Sequence, residues 1–79
     1  MTPKQRRILR SLAEAQTRGE RLTIDRLIAE AALSASKQAA QQTLRTLERR
    51  GFLERKYEKR GERVHLVLEL TLRGQELVR

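Results

Sequence analysis

The segment SKQAAQQTLRTLERRGFLE, running from Ser36 to Glu54, predicts a helix that ends at Gly51 and has two different sides. Small and apolar residues recur in it at spacings of three and four, which is the period of one helix face. They are Ala40, Thr43, Leu44 and Leu47. The opposite side has amide and cationic side chains, and it carries Lys37, Gln38, Gln41, Gln42 and Arg45. The pattern therefore predicts an amphipathic helix with one side packed inward and one side open to a partner.

Two interpretations of the polar side remain open from this segment alone. Glutamine can make paired hydrogen bonds to adenine and arginine to guanine, and a helix fits the major groove of DNA. The same residue types are also good helix formers, which explains a merely solvated face equally well. The rest of the chain has to decide between them.

The charge of the chain points to a polyanionic partner. The 79 residues predict a single domain, 1–79, with a modest core. Eighteen Lys and Arg against ten Asp and Glu give a net charge of +8, and the isoelectric point is near 11.3. For a domain this basic, nucleic acid is the first candidate.

Several classes of protein are disfavoured by the composition. Without cysteine the chain has no disulfides or thiolate metal sites, which fits a reducing compartment. No apolar run approaches the roughly 18 residues of a membrane span, and residues 1–10 lack a signal-peptide core. We expect a soluble, cytoplasmic protein with no cofactor, no membrane partner and little room for a small-molecule ligand.

Two further helices precede the decisive segment. Thr2, Pro3 and Gln5 predict the start of the first helix and Gly19 its end. Its apolar stripe is Ile8, Leu9, Leu12 and Ala13. A short link over 20–22 has room for one small strand, and Thr23 then caps a second helix running to about Ala32. Its inward face is Ile24, Leu27, Ile28 and Ala31. Ser36 is the better cap for the third helix, with Ser34 as an alternative.

After Gly51 the period changes from helix to strand. Inward residues alternate with outward ones in a strand that should pair with 52–58. The inward set is Val64, Leu66, Leu68 and Leu70, and the outward set is His65, Val67 and Glu69. The turn between the strands lies in 59–62, where Gly61 can take a positive φ. Residues 71–79 predict a short closing helix with Leu72, Leu77 and Val78 turned inward.

This order of elements predicts a fold that is mainly α with a small β-hairpin, the winged helix-turn-helix. It has a three-helix core, a wing of two to three strands and a short C-terminal helix, with the third helix in the groove. The wing is cationic and carries Arg55, Lys56, Lys59, Arg60 and Arg63. Such residues suit DNA phosphates or the minor groove, although charge also protects an exposed hairpin edge from aggregation.

Two families share motifs with the chain. Residues 2–54 resemble the DNA-binding domain of LexA-type repressors, through TPKQRRIL at the start and the segment Ser36 to Glu54. The matched positions are mostly cap, core and stop residues, so the resemblance implies the fold more than an operator. LexA-type repressors continue into a self-cleaving domain that these residues do not contain, so autolysis is not implied.

The end of the chain is similar to a second family. LTLRGQELVR, residues 70–79, resembles the strand-to-helix junction of MarR-type regulators, L-T-x-x-G-x-x-L, and Leu70, Thr71, Gly74 and Leu77 match it. Those regulators dimerise through long terminal helices that the 79 residues do not include. The two resemblances together imply a minimal winged helix-turn-helix regulator.

Other functions fit the sequence less well. Enzyme activity has little support, because the single histidine, His65, lies in a strand, the acids are scattered, and no phosphate-binding loop is present. Single-stranded nucleic acid binding usually employs aromatic platforms, and here only Phe52, expected in the core, and Tyr57 are available. A protein adaptor or an accessory factor in replication, partition or recombination remains the alternative. An adaptor should expose an apolar patch, for which Val67 is the candidate.

We therefore expect sequence-specific binding of double-stranded DNA by a small transcriptional regulator, most simply a repressor. Gln38, Gln41, Gln42 and Arg45 are expected to read base edges, Ser36 and Lys37 to touch phosphate, and Arg60 and Arg63 to anchor the wing. Because one small module gives limited affinity, we also expect a homodimer on a two-fold site. The outer face of the first helix and the closing helix are the candidate dimer surfaces.

Overall fold

The computed structural model describes residues 1–31 and 36–79 and shows four helices and three strands in those ranges. The elements are α1 (Pro3–Thr17), β1 (Leu22–Thr23), α2 (Ile24–Glu30), α3 (Lys37–Arg49), β2 (Leu53–Arg60), β3 (Arg63–Leu70) and α4 (Leu72–Leu77). This is the predicted order of a winged helix-turn-helix, and the predicted fold class is confirmed. α2 ends slightly earlier than expected, with Ala31 as its C-cap.

Side-chain caps determine where the helices begin. At α1, Thr2 Oγ1 accepts from the Gln5 amide at 3.1 Å while Gln5 Oε1 accepts from the Thr2 amide at 3.2 Å, a complete capping box. Thr23 and Ser36 accept from the amides three residues on, at 3.3 and 3.2 Å. The cap predicted at Ser36 is therefore confirmed, whereas the alternative at Ser34 falls outside the described residues.

The core lies between the helices and one face of the sheet. Leu9, Leu27, Leu47 and Leu68 are each at most 1% exposed. Further buried members come from α1, α2, α3 and the three strands and are Ile8, Leu12, Leu22, Ile24, Leu44, Leu53 and Leu70. Ala13, Ile28, Phe52 and Val78 pack against this cluster at its edge. Burial of these apolar side chains is the main term that stabilises the fold.

The sheet has the order β1-β3-β2, with both pairs antiparallel. The hairpin register runs from Leu53 opposite Leu70 to Arg60 opposite Arg63. Only residues 61 and 62 form the turn, and Gly61 has φ +64° as predicted. β1 pairs through Leu22 with Leu68, so the small strand expected in the first link exists and makes the sheet three-stranded.

Three expectations about exposure are wrong. Val67 is fully buried because it lies in the central strand between Thr23 and Lys56, so it offers no apolar patch to a partner. Leu72 and Leu77 are 68% and 47% exposed rather than inward. α4 is a short helix that instead packs through the buried Gly74 and the half-buried Val78.

Val64 also departs from the predicted alternation. It is 63% exposed although it shares a sheet face with the buried Leu68 and Leu70. Near the turn of the hairpin, that face lines an open cleft with residues at the starts of α2 and α3. Tyr57, opposite Leu66 on the same face, is 78% exposed.

Candidate nucleic-acid interface

One side of α3 is open to solvent along its full length. Gln38, Gln42 and Arg45 are exposed and Gln41 is half-buried, while Ala40, Leu44 and Leu47 face the core. Spacings of four and three residues place Gln38, Gln42 and Arg45 on one stripe. The exposed Arg49 continues that stripe by one more turn. Sequence reasoning missed Arg49, although its spacing from Arg45 was a sufficient signal.

The start of α3 presents the two residues expected to touch phosphate. Ser36 Oγ is exposed and accepts from the Ala39 amide as the helix cap. Lys37 Nζ lies 3.1 Å from a carboxylate oxygen of Asp25 in α2. Both partners of that ion pair are more than half exposed, and such pairs contribute little stability in water. A phosphate can therefore compete for Lys37 at low cost.

The strand register divides the wing cations between two faces. Residues paired across antiparallel strands share a face, and successive residues alternate. Arg55 and Lys59 lie on the face that continues from the core, opposite Leu68 and Val64. Lys56, Arg60 and Arg63 lie on the other face. The sequence treated these residues as one cationic surface, whereas the structure separates them into two sets.

Ion pairs engage some of these cations and leave others open. Lys56 Nζ lies 2.9 Å from Glu69, Arg60 Nη2 lies 3.0 Å from Glu58, and Arg55 Nε lies 2.7 Å from Glu48. In contrast, Lys59 and Arg63 make no ion pair with any residue in the described ranges. These two are therefore the wing cations most readily available to an external anion.

A network of charges joins both wing strands to the residue that precedes β1. Arg21, just before β1, lies 3.5 Å from Glu58 and 3.6 Å from Glu69, and its carbonyl accepts from Arg60 Nη2 at 3.0 Å. The close contact with the Lys56 ammonium is the main cause that lowers the pKa of Glu69, and the same contact raises the pKa of Lys56. This network holds the two wing strands against the rest of the sheet.

Two open clefts bring the predicted residues together at the two ends of α3. A cleft of about 450 Å³ joins the start of the helix to the wing and is lined by Lys37, Arg60, Asp25 and His65, among others. A cleft of about 520 Å³ joins the end of the helix to β2 and is lined by Arg45, Glu48, Arg49 and Arg55. The helix stripe thus lies between two clefts, each of which includes wing residues.

No protein-family model matches the chain. No curated protein matches it either. Among solved structures, it is similar to the crystal structure of a mutant of MepR from a multidrug resistant S. aureus clinical isolate, with 26% sequence identity and a TM-score of 0.81. The match covers 99% of this chain and 52% of that chain, so this chain spans about half the length of its neighbour.

The neighbour supports one of the two resemblances drawn from the sequence. MepR is a winged-helix regulator of the MarR family, so the comparison supports the winged helix-turn-helix over nearly all of this chain. The LexA-type resemblance is not shown by it and stays a prediction. Within the described ranges, moreover, no helix is both long and apolar enough to cross a lipid bilayer.

Proposed function

We propose that this protein binds double-stranded DNA sequence-specifically and acts as a transcriptional regulator, most simply as a repressor. The observation that carries the proposal is the exposed stripe Gln38, Gln42, Arg45 on α3, opposite the buried Leu44 and Leu47 and flanked by the wing. A helix so exposed can enter the major groove while the wing lies alongside. The likeness to the winged-helix regulator MepR supports the same function.

The proposed DNA contacts fall into two groups, those that read bases and those that position the protein on the duplex. Gln38, Gln41, Gln42 and Arg45 would contact base edges, where amide and guanidinium groups can form paired hydrogen bonds. Ser36 and Lys37 at the helix start would contact phosphate. On the wing Arg55, Lys56, Lys59, Arg60 and Arg63 would do so as well, and of these Lys59 and Arg63 are free of ion pairs within the described ranges. A homodimer bound to a two-fold site belongs to this proposal, since it doubles the bases read.

The test is Arg45→Ala, measured by fluorescence anisotropy on a duplex selected by the wild-type protein and on a scrambled duplex. Loss of a base-reading pair should cost about 1 to 3 kcal/mol on the selected duplex and little on the scrambled one. Arg10→Ala, which removes the same charge from the exposed side of α1, is the matched control. An equal loss on both duplexes would make Arg45 a phosphate contact.

A further inference from the structure

The cleft between the end of α3 and the first half of β2 has the chemistry of an anion site. Arg45 and Arg49 project from the last turns of α3, Arg55 projects from β2, and Glu48 is the one acid among the four lining residues. Three guanidinium groups and one carboxylate leave an excess of two positive charges in this cleft. No sequence motif indicated this grouping, because it depends on which face of β2 meets the helix.

Arg55 is held in a defined position in this cleft. Its Nε donates to Glu48 Oε2 at 2.7 Å, and its side chain is only 24% exposed. The hydrogen bond fixes the guanidinium plane and leaves the terminal nitrogens free of that carboxylate. Nη2 is buried without a hydrogen-bond partner in the described ranges. A buried donor of this kind is unfavourable until an acceptor reaches it.

We propose that this cleft binds one backbone phosphate of duplex DNA, held by Arg49 and Arg55. Phosphate oxygens are the acceptors that a guanidinium binds best, because two parallel N–H groups match two oxygens. A phosphate oxygen in the cleft would supply the acceptor that Arg55 Nη2 lacks. Glu48 acts through Arg55 as a positioning residue and does not contact the DNA.

The phosphate site would also help to position Arg45 for base reading. Arg45 lines the cleft and also continues the base-reading stripe, one turn before Arg49. A phosphate fixed at the end of the helix would set the depth and register at which Arg45 meets a base edge, since phosphate contacts position a protein while base contacts specify sequence. This inference rests on the proposed function and adds a site to it.

A simpler role for Arg49 makes a different prediction. As a cation in the last turn of α3, it would stabilise the helix dipole, and its loss would change stability but not the salt dependence of binding. Arg50 provides a matched control because it is exposed, adjacent and of equal charge, but does not line the cleft. Comparison of the two variants separates a specific phosphate contact from a general loss of positive charge.

The experiment measures affinity by fluorescence anisotropy over a series of KCl concentrations, on the selected and the scrambled duplex. Arg49→Ala should lower the slope of log K against log salt by about 0.9 on both duplexes, the value for one phosphate contact. Arg50→Ala should change the slope much less. Equal slopes for Arg49→Ala and wild type, or equal changes for the two variants, would overturn the phosphate site while leaving the proposed function standing.

A second measurement covers Arg55, whose replacement could disturb the fold. In ¹⁵N-labelled wild-type protein, the Nε–Hε signals of Arg49 and Arg55 should shift on addition of the selected duplex, and that of Arg50 should not. Arg49→Lys, Arg50→Lys and Arg55→Lys assign the signals. Unmoved Arg49 and Arg55 signals in a saturated complex would overturn the site, whereas a wild-type protein that binds no duplex would overturn the proposed function together with it.

Discussion

Gly74 is the residue at which α4 leaves no room for a side chain. A Cβ there would collide with the Phe52 carbonyl oxygen and come to 3.0 Å from Leu70 Cδ2. The glycine of the L-T-x-x-G-x-x-L motif therefore permits the close approach of α4 to the chain that follows α3. The neighbouring Thr71 secures the same junction, because its hydroxyl donates to the Gly51 carbonyl at 2.5 Å.

Gly74→Ala should destabilise the protein by roughly 1 to 3 kcal/mol, the usual cost of forcing extra atoms into a packed site. The sign of the stability change is diagnostic, because a glycine-to-alanine change at an open helix position instead stabilises the protein by about 1 kcal/mol. Urea unfolding measures it, with Gln75→Ala on the next residue as the control, expected within about 0.5 kcal/mol of wild type. A more stable Gly74→Ala would show that α4 does not pack closely on Phe52.

Glu69 should make stability depend on pH in the acid range. The close contact with the Lys56 ammonium is the largest cause lowering its pKa below the ordinary 4.5, partial burial opposes it, and the charge of Arg21 adds to the lowering. Because the folded state has the lower pKa, Glu69 contributes stability above about pH 4.5 that is lost as the pH falls through the folded value.

The measurement compares wild type with Glu69→Gln by urea unfolding from pH 7 to pH 3. Wild type should be the more stable at neutral pH, and the difference should shrink as the pH drops below 4.5. Glu14→Gln, at an exposed position of α1, should track wild type throughout. A constant difference between wild type and Glu69→Gln would mean that the Lys56 contact does not favour the ionised carboxylate.

At the scale of elements, the wing is joined to the rest of the sheet through Arg21. Its side chain reaches Glu58 in β2 and Glu69 in β3, at 3.5 and 3.6 Å. Each half-exposed pair is weak by itself. Together, however, they connect both wing strands to the residue that precedes β1, so they affect the mobility of the hairpin more than global stability.

Arg21→Ala should speed amide hydrogen exchange in the outer half of the wing, 57–66, while global stability changes by less than about 1 kcal/mol. The matched control is Arg26→Ala, because within the described ranges Arg26 pairs with Glu20 and Glu30, at 3.6 and 3.0 Å, and with no residue of β2 or β3. Unchanged exchange in the wing of Arg21→Ala would show that the backbone ladder alone holds the hairpin in place.

The sequence predicted best those features that depend on residues close together in the chain. The capping box at Thr2, the cap at Ser36 and the positive φ of Gly61 each depend on a few neighbouring residues, and all three are present. The burial of Val67 depends instead on how β1 and β2 flank the central strand. The alternating pattern alone could not show that an outward residue of a three-stranded sheet would be covered.

The candidate site likewise has one part that the sequence predicted and one part that it did not. The stripe Gln38, Gln42, Arg45 follows from helix period and the burial of Leu44, so the sequence was sufficient to predict it. The pairing of Glu48 with Arg55 joins a helix to a strand across a turn. It requires the register of β2 against α3, which no local pattern encodes, and the cleft at the end of α3 was therefore missed.

Across the whole molecule, one group of ion pairs lies around β1 and the wing strands. Glu20, Glu30, Glu58 and Glu69 all pair with cations around Arg18, Arg21, Arg26 and Lys56. The net charge of +8 is thus unevenly available, since these pairs neutralise cations near β1 while Gln38, Gln42, Arg45 and Arg49 remain open. If the protein binds DNA as proposed, the open cations Arg45 and Arg49 would attract the phosphate backbone toward α3.

Selection of bound sequences from a random duplex library tests this picture for the whole molecule. If α3 reads bases and two copies bind together, the wild-type protein at about physiological salt should recover a short inverted repeat. The centres of its halves should lie about 10 base pairs apart or a multiple of that, because both recognition helices must face the same side of the duplex. The separation then gives the distance between the two helices.

The same selection with Arg45→Ala is the control for that result. Relaxed preference at one position of each half, with the spacing retained, is expected when only the base contact is lost and the arrangement of the two copies is intact. A single half-site from wild type would mean that one copy binds alone. No motif at all, with binding that vanishes as salt rises, would reduce the interaction to phosphate charge and favour a protein-binding role for the same fold.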